Sequence, residues 1–193
     1  MKFITIVMLA GIIPTAAAAR AQAPSANPQT PTANSNAALL AAFTHRVNAY
    51  AELRKGAEKG AAKIERHTDP AKIEAEQKAL AAKIQAARPA AKVGDIFTVE
   101  SRPIFKRLLG PQLKGPDGAE NKAAIKDDNP GTMTVKVNQP YPKGEPLSTV
   151  PPDVLKALPV LPEDLEYRFV GRHLILYDAR ASLVVDYIPN AIP

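Results

Sequence analysis

The apolar positions in the last part of the chain fall in short runs that match β-strands. Residues 165–170 and 173–177 are rich in aromatic and β-branched side chains, and Gly171 lies between them, where a two-residue hairpin turn requires a positive φ. Residues 178–182 predict a loop into a third run, residues 183–188. This pattern indicates a three-stranded antiparallel sheet near the C-terminus.

Between residues 37 and 92 the apolar positions recur at intervals of three and four, the period of a helix with one buried side. Asp69 followed by Pro70 is typical of a helix start, so the segment divides into two helices there. We predict an antiparallel helical hairpin whose narrow apolar stripes pack on the sheet. The stripes are Leu39, Phe43, Val47, Tyr50, Leu53, Ala57, Gly60 and Ile64, then Ile73, Gln77, Leu80, Ile84, Ala87 and Ala91.

Residues 93–131 predict a shorter helix that starts after Ser101 and ends at Gly110-Pro111, with a further helical turn or two over 120–127. Residues 132–137 alternate apolar and polar, which favours a half-buried strand that could join the sheet. We therefore assign residues 132–193 to a proline-rich connection and a C-terminal β-meander of three to four strands. The fold class predicted for the whole chain is α+β.

Seven prolines fall between residues 140 and 162, which excludes a central strand or a long helix there. We expect this segment to wrap across the surface in an extended form, with one short helical turn after Pro151-Pro152. A proline-rich recognition segment is the alternative. The predicted anchors are Leu147, Val150, Leu155, Leu158 and Leu161.

The first residues have the layout of a secretory signal peptide. Met1-Lys2 precedes an apolar run over residues 3–13, and small residues end in Ala19-Arg20-Ala21. We therefore predict cleavage after residue 21, a periplasmic or secreted protein, and a flexible linker over residues 22–36. A membrane anchor is the alternative, although Pro14 interrupts the apolar run. The chain has no cysteine, which excludes disulfides, thiolate metal sites and a lipid-modified cysteine.

Charge is distributed unevenly along the chain. Residues 37–92 carry eleven Lys or Arg against six Asp or Glu, whereas residues 116–193 carry eight against eleven. The helical hairpin should therefore present a basic face that binds an unknown envelope protein or an anionic surface. A solvated helix face without a partner is the alternative. The candidate partner-binding residues are Arg46, Lys55, Lys59, Lys63 and Arg66.

The sequence contains no recognisable catalytic, metal or cofactor motif, and we predict no cofactor. His45 and His67 lie too far apart on one predicted helix to share a metal, and His173 lies beside a turn. Residues 127–131 hold a fragment of a calcium loop, but a helix end and turn explain them better. None of the three ordered serine candidates lies in a Gly-x-Ser-x-Gly motif. The serines are Ser101, Ser148 and Ser182.

These observations favour an exported, non-catalytic binding or structural module. A hydrolase-type enzyme with sequence-distant catalytic residues is the alternative, and His173 would be its best residue. The helical hairpin could also serve as a dimerisation element. Nucleic acid is not an expected partner, because no aromatic platform is interleaved among the lysines.

A block of strand-type residues stands near the C-terminus: Tyr167, Val170, Leu174, Leu176, Asp178, Leu183, Val185 and Ile188. This block resembles a small β-rich module of uncharacterised exported bacterial proteins from the Gram-negative envelope. It is also similar to the tail of the periplasmic nickel/cobalt homeostasis proteins. The resemblance implies an envelope location and a small β-module, and it carries no activity; the histidine-rich stretch of the metal-homeostasis group is missing.

Overall fold

The computed structural model describes residues 33–59, 69–127, 129, 131 and 133–192, and only the backbone of residues 33 and 34. The predicted signal peptide and most of the predicted linker lie outside these residues. Within them the chain forms helices α1 (Ala33–Lys59), α2 (Pro70–Ala87), α3 (Arg102–Lys114), α4 (Gly118–Asp127) and α5 (Pro152–Lys156), and strands β1 (Gln139–Pro140), β2 (Leu165–Val170), β3 (His173–Asp178) and β4 (Leu183–Ile188). The predicted α+β class is confirmed.

The strands form one antiparallel sheet in the order β1-β4-β3-β2. Val170 pairs with His173 across the predicted two-residue turn, and Gly171 takes a φ of 56°. The three predicted strands are confirmed. The fourth strand is β1 rather than residues 132–137, because Asn138 adopts a left-handed φ of 58° and only the two residues after it pair with β4.

Both faces of the sheet are covered. The larger core contains α1, α2, α3 and α5 side chains together with Leu174, Leu176 and Val185 of the sheet. On the other face, Val135 and Tyr141 pack against a smaller apolar group of the strands. The alternating run before β1 therefore covers the sheet instead of extending it.

A cluster of three phenylalanines joins α1 and α3 to the loop between α2 and α3. Phe43, Phe97 and Phe105 are fully buried, and their ring centroids lie 4.8–5.2 Å apart. Because the same core holds strand residues, the predicted packing of the helices on the sheet is confirmed. In α2, Leu80 and Ile84 are buried as predicted.

Some predictions about helix length and burial were wrong. The third helix does not end at Gly110-Pro111 but continues through Pro111 to Lys114, since a proline removes one hydrogen bond without preventing the next turn when packing holds the helix. In the short α5, Val154 is buried and the predicted anchor Leu155 is 44% exposed. Neighbouring helix positions are about 100° apart, so only one of the two can face the core.

Candidate functional site

The predicted basic face of the first helix is described at three of its five residues. Lys63 and Arg66 lie outside the described residues. Arg46 and Lys55 are nine residues apart on α1, which places them about 180° apart around the helix. Lys55 binds Glu52 at 2.8 Å, while Lys59 is exposed in the last turn. Among the described members, Arg46 therefore lies on a different side of α1 from Lys55 and Lys59, which are four residues apart and share one side.

Arg46 belongs to the α3 side of the molecule. The pKa of the exposed Glu100 carboxyl is lowered by its own backbone amide, then by the Thr98 hydroxyl, and further by Arg46 and Arg102. Arg102 also donates from Nε to the carbonyl oxygen of Phe97 at 2.9 Å. Arg46 on α1 and Arg102 on α3 thus both favour the charged form of Glu100.

The densest positive charge lies on α3 rather than on the hairpin. We call residues 102–126 the α3–α4 basic segment; they carry six Lys or Arg against two Asp or Glu, a formal charge of +4. Helix α4 taken alone carries Lys122 and Lys126 against Glu120 and Asp127, so its own formal charge is zero. The thirteen residues of α3 contain no acidic side chain. Five exposed cations of the segment form no ion pair within the part of the chain that the structure describes. They are Lys106, Arg107, Lys114, Lys122 and Lys126.

The two helices that carry these cations are fixed by core packing of α3 and by a hydrogen bond between α4 and α3. Phe105, Leu109 and Leu113 place the opposite side of α3 in the core. Asn121 of α4 donates from Nδ2 to the carbonyl oxygen of Gln112 at 2.8 Å. Arg107 and Lys114 are seven residues apart, or about two helical turns, so they share one side of α3.

A buried carboxylate fixes the loop that leads into α3. Asp186 of β4 is fully buried, and its two oxygens accept hydrogen bonds from the amides of Gly94, Ile96, Phe97 and Tyr187 at 2.8–3.2 Å. Burial raises the pKa of the Asp186 carboxyl, and the amides oppose that rise. The carboxylate thus replaces the backbone partners that this irregular loop lacks.

A second buried polar group joins α1 to the sheet. Asp178 is fully buried and accepts a hydrogen bond from the Tyr50 hydroxyl at 2.7 Å. Arg54, also buried, lies 3.5 Å from the Asp178 carboxylate and 3.6 Å from that of Asp164, and donates to the carbonyl oxygen of Glu163. Burial and the neighbouring Asp178 raise the pKa of the Tyr50 hydroxyl well above its ordinary value. These contacts tie α1 to β3 and to the turn before β2.

The predicted nucleophile candidates all have structural partners. The hydroxyl of Ser101 donates to the carbonyl oxygen of Thr98, and that of Ser182 accepts from Tyr177. Ser148 is fully buried and bonds both the amide and the carbonyl of Phe169 at the edge of β2. None of the three contacts a histidine among the described residues.

The histidines form no joint site. His45 is exposed on α1, and His67 lies outside the described residues. His173 accepts a hydrogen bond at Nδ1 from the Asn190 amide at 3.2 Å, and its ring lies beside that of Tyr187. Because His173 meets neither a serine nor a carboxylate there, the hydrolase alternative gains no support from its best residue.

The calcium-loop fragment has a structural explanation at its asparagine. Asn129 accepts from the amide of Gly171 and donates to the carbonyl of the same residue, so it holds the β2–β3 turn. Among the described residues, no three His, Cys, Asp or Glu side chains gather where they could ligate one metal ion. Across the same part of the chain, no helix has both the length and the apolar character needed to span a bilayer.

Sequence reasoning missed the α3–α4 basic segment. The signal was present in the sequence as a run of Lys and Arg without Asp or Glu over α3. That run lies between residues 37–92 and residues 116–193, the two segments whose charges were compared. No protein-family model, curated protein or solved structure matches this chain.

Proposed function

We propose that this protein is an exported, non-catalytic binding module that meets an anionic surface of the cell envelope through the α3–α4 basic segment. The observation that carries the proposal is the set of exposed cations on α3 and α4 that form no ion pair within the described residues. This moves the binding surface from the helical hairpin to the helices that follow it. The proposed export depends on the layout of residues 1–21.

The physical basis is electrostatic attraction between a fixed basic surface and anionic headgroups. Each Lys or Arg close to an anionic bilayer contributes about 1 kcal/mol, and the attraction falls off within a Debye length. Cations on anchored helices lose less conformational freedom on binding than cations on a loose tail. The segment therefore fits a salt-sensitive surface contact better than a deep ligand site.

Sedimentation with lipid vesicles tests the proposal. We expect the protein to bind phosphatidylglycerol vesicles at low salt, to release them at high salt, and to ignore phosphatidylcholine vesicles. The double variant R107E/K114E should bind at least about tenfold more weakly, because two attractive contacts of about 1 kcal/mol each become repulsive.

The matched control is K72E/K136E, which makes the same change in net charge at two exposed lysines outside the segment. It should retain most of the binding. Equal losses in the two variants would show that net charge alone drives the contact, and this would contradict the assignment to α3 and α4. Binding that does not weaken at high salt would contradict the electrostatic basis itself.

A further inference from the structure

A groove between α2 and the loop of residues 140–147 has the size and lining of a small-molecule site. Its volume is about 760 Å³; α2 forms one wall and residues 140–147 form the other, with Tyr177 and Ser182 between them. Pockets of roughly 300–1,000 Å³ with mostly apolar walls and a few polar groups are typical ligand sites. We call this cavity the α2 groove.

The apolar stripe of α2 is partly exposed where its side chains line the groove. Ala81 is buried, but Ile73, two turns earlier, is 39% exposed and lines the cavity. The sequence predicts Ile73 as a core residue, so its exposure marks an apolar surface that the rest of the described chain does not cover.

One ion pair joins the two walls of the groove, and further contacts support the loop wall. Lys143 on the loop wall binds Glu74 on the α2 wall at 2.6 Å. The Tyr141 hydroxyl donates to the carbonyl of Pro146 at 2.7 Å, and the Tyr141 ring packs edge-on against Tyr177 at 5.7 Å. A cavity held in this way needs little reorganisation before a ligand enters.

Because Glu74 pairs with Lys143, another cation of the groove, Lys78, lies near the apolar side chains. Glu74 and Lys78 are four residues apart on α2, a spacing that suits an ion pair, but the structure pairs Glu74 with Lys143. Lys78 is exposed, lines the groove and forms no ion pair within the described residues. Of the four charged groups of the lining, Glu145 also forms no ion pair within the described residues; it stands on the opposite wall, next to Gly144 at the exposed tip of the loop.

We propose that the α2 groove binds an apolar molecule with a single carboxylate head, the chemistry of a medium-chain fatty acid. The tail lies against Ile73 and Leu147, and the head lies at the ammonium of Lys78, which acts as a point charge rather than a fork for larger anions. This site is separate from the α3–α4 basic segment, and the proposal does not depend on the proposed function.

Isothermal titration calorimetry of the full chain with decanoate tests the site. The matched probes are decan-1-ol, which lacks the charge, and decyltrimethylammonium, which reverses it. Decanoate should bind most tightly of the three. K78M should weaken decanoate about three- to fivefold, as expected for one exposed ion pair, and leave decan-1-ol unchanged. I73D, at an exposed position, should abolish binding of both.

The controls locate the site and exclude other ligand classes. K72M removes a lysine of α2 outside the groove and L155D alters a different apolar cavity, so both should leave decanoate binding unchanged. R107E/K114E should also leave it unchanged, which separates this site from vesicle binding. Loss of binding in L155D, a loss in E145Q equal to that in K78M, or tighter binding of decyltrimethylammonium would each overturn the proposal.

Discussion

Replacing Asp186 with Asn should destabilise the protein strongly although the two side chains have nearly the same shape. One carboxylate oxygen accepts from the amides of Ile96 and Phe97, and the other accepts from Gly94 and Tyr187. An Asn side chain keeps one oxygen and places an NH₂ group at the other position. At least one amide therefore loses its acceptor and faces another donor.

The magnitude follows from these contacts. A buried donor left without a partner costs about 1–3 kcal/mol, and the remaining hydrogen bonds weaken because their acceptor is no longer charged. Removing a buried charge recovers part of this cost, since burial disfavours the ionised form of Asp186. We expect a net loss of about 2–4 kcal/mol in the free energy of unfolding, or about 5–15 °C in Tm.

Urea unfolding followed by circular dichroism measures this loss. The control is D153N, which removes an exposed carboxylate that binds Lys156 at 2.8 Å and should cost less than about 0.5 kcal/mol. A loss below about 1 kcal/mol in D186N would refute the conclusion that this carboxylate holds the loop leading into α3.

Two further predictions concern the edge and the turn of the sheet. S148A should lower the free energy of unfolding by about 2 kcal/mol, because both backbone groups of Phe169 lose a buried partner, whereas T149A at an exposed position should be nearly neutral in the same urea assay. Burial lowers the pKa of His173, so its contribution to stability is present above about pH 6.5 and is lost as the pH falls through the lowered pKa. H173F should remove that part of the pH dependence; an unchanged profile would show that another group is responsible.

The sheet could be predicted because its signals are local. Gly171 between two β-branched runs determines the turn, and the turn sets the register of Val170 with His173. The helical stripes around Phe43 and Leu80 were predictable for the same reason, since a period of three and four residues requires no knowledge of the partner.

The remaining features depend on contacts between distant parts of the chain. In the sequence, Asp186 has the pattern of an ordinary strand residue. Its role depends on the loop at Gly94, which lies 92 residues earlier in the chain and meets Asp186 only in the fold. Glu74 has a suitable partner at Lys78 in its own helix, and only the fold reveals that Lys143 takes that place. The α2 groove follows from such contacts, so local patterns could not locate it, whereas the run of cations over α3 was visible in the sequence.

Paramagnetic broadening of backbone amide signals by vesicles with spin-labelled phosphatidylglycerol tests the central claim most directly. At low salt, the amides around Arg107, Lys114 and Lys122 should broaden most, while those of β3 remain sharp. Strongest broadening along α1 near Lys55 and Lys59, or equal broadening over the whole chain, would contradict the assignment of the binding surface to α3 and α4.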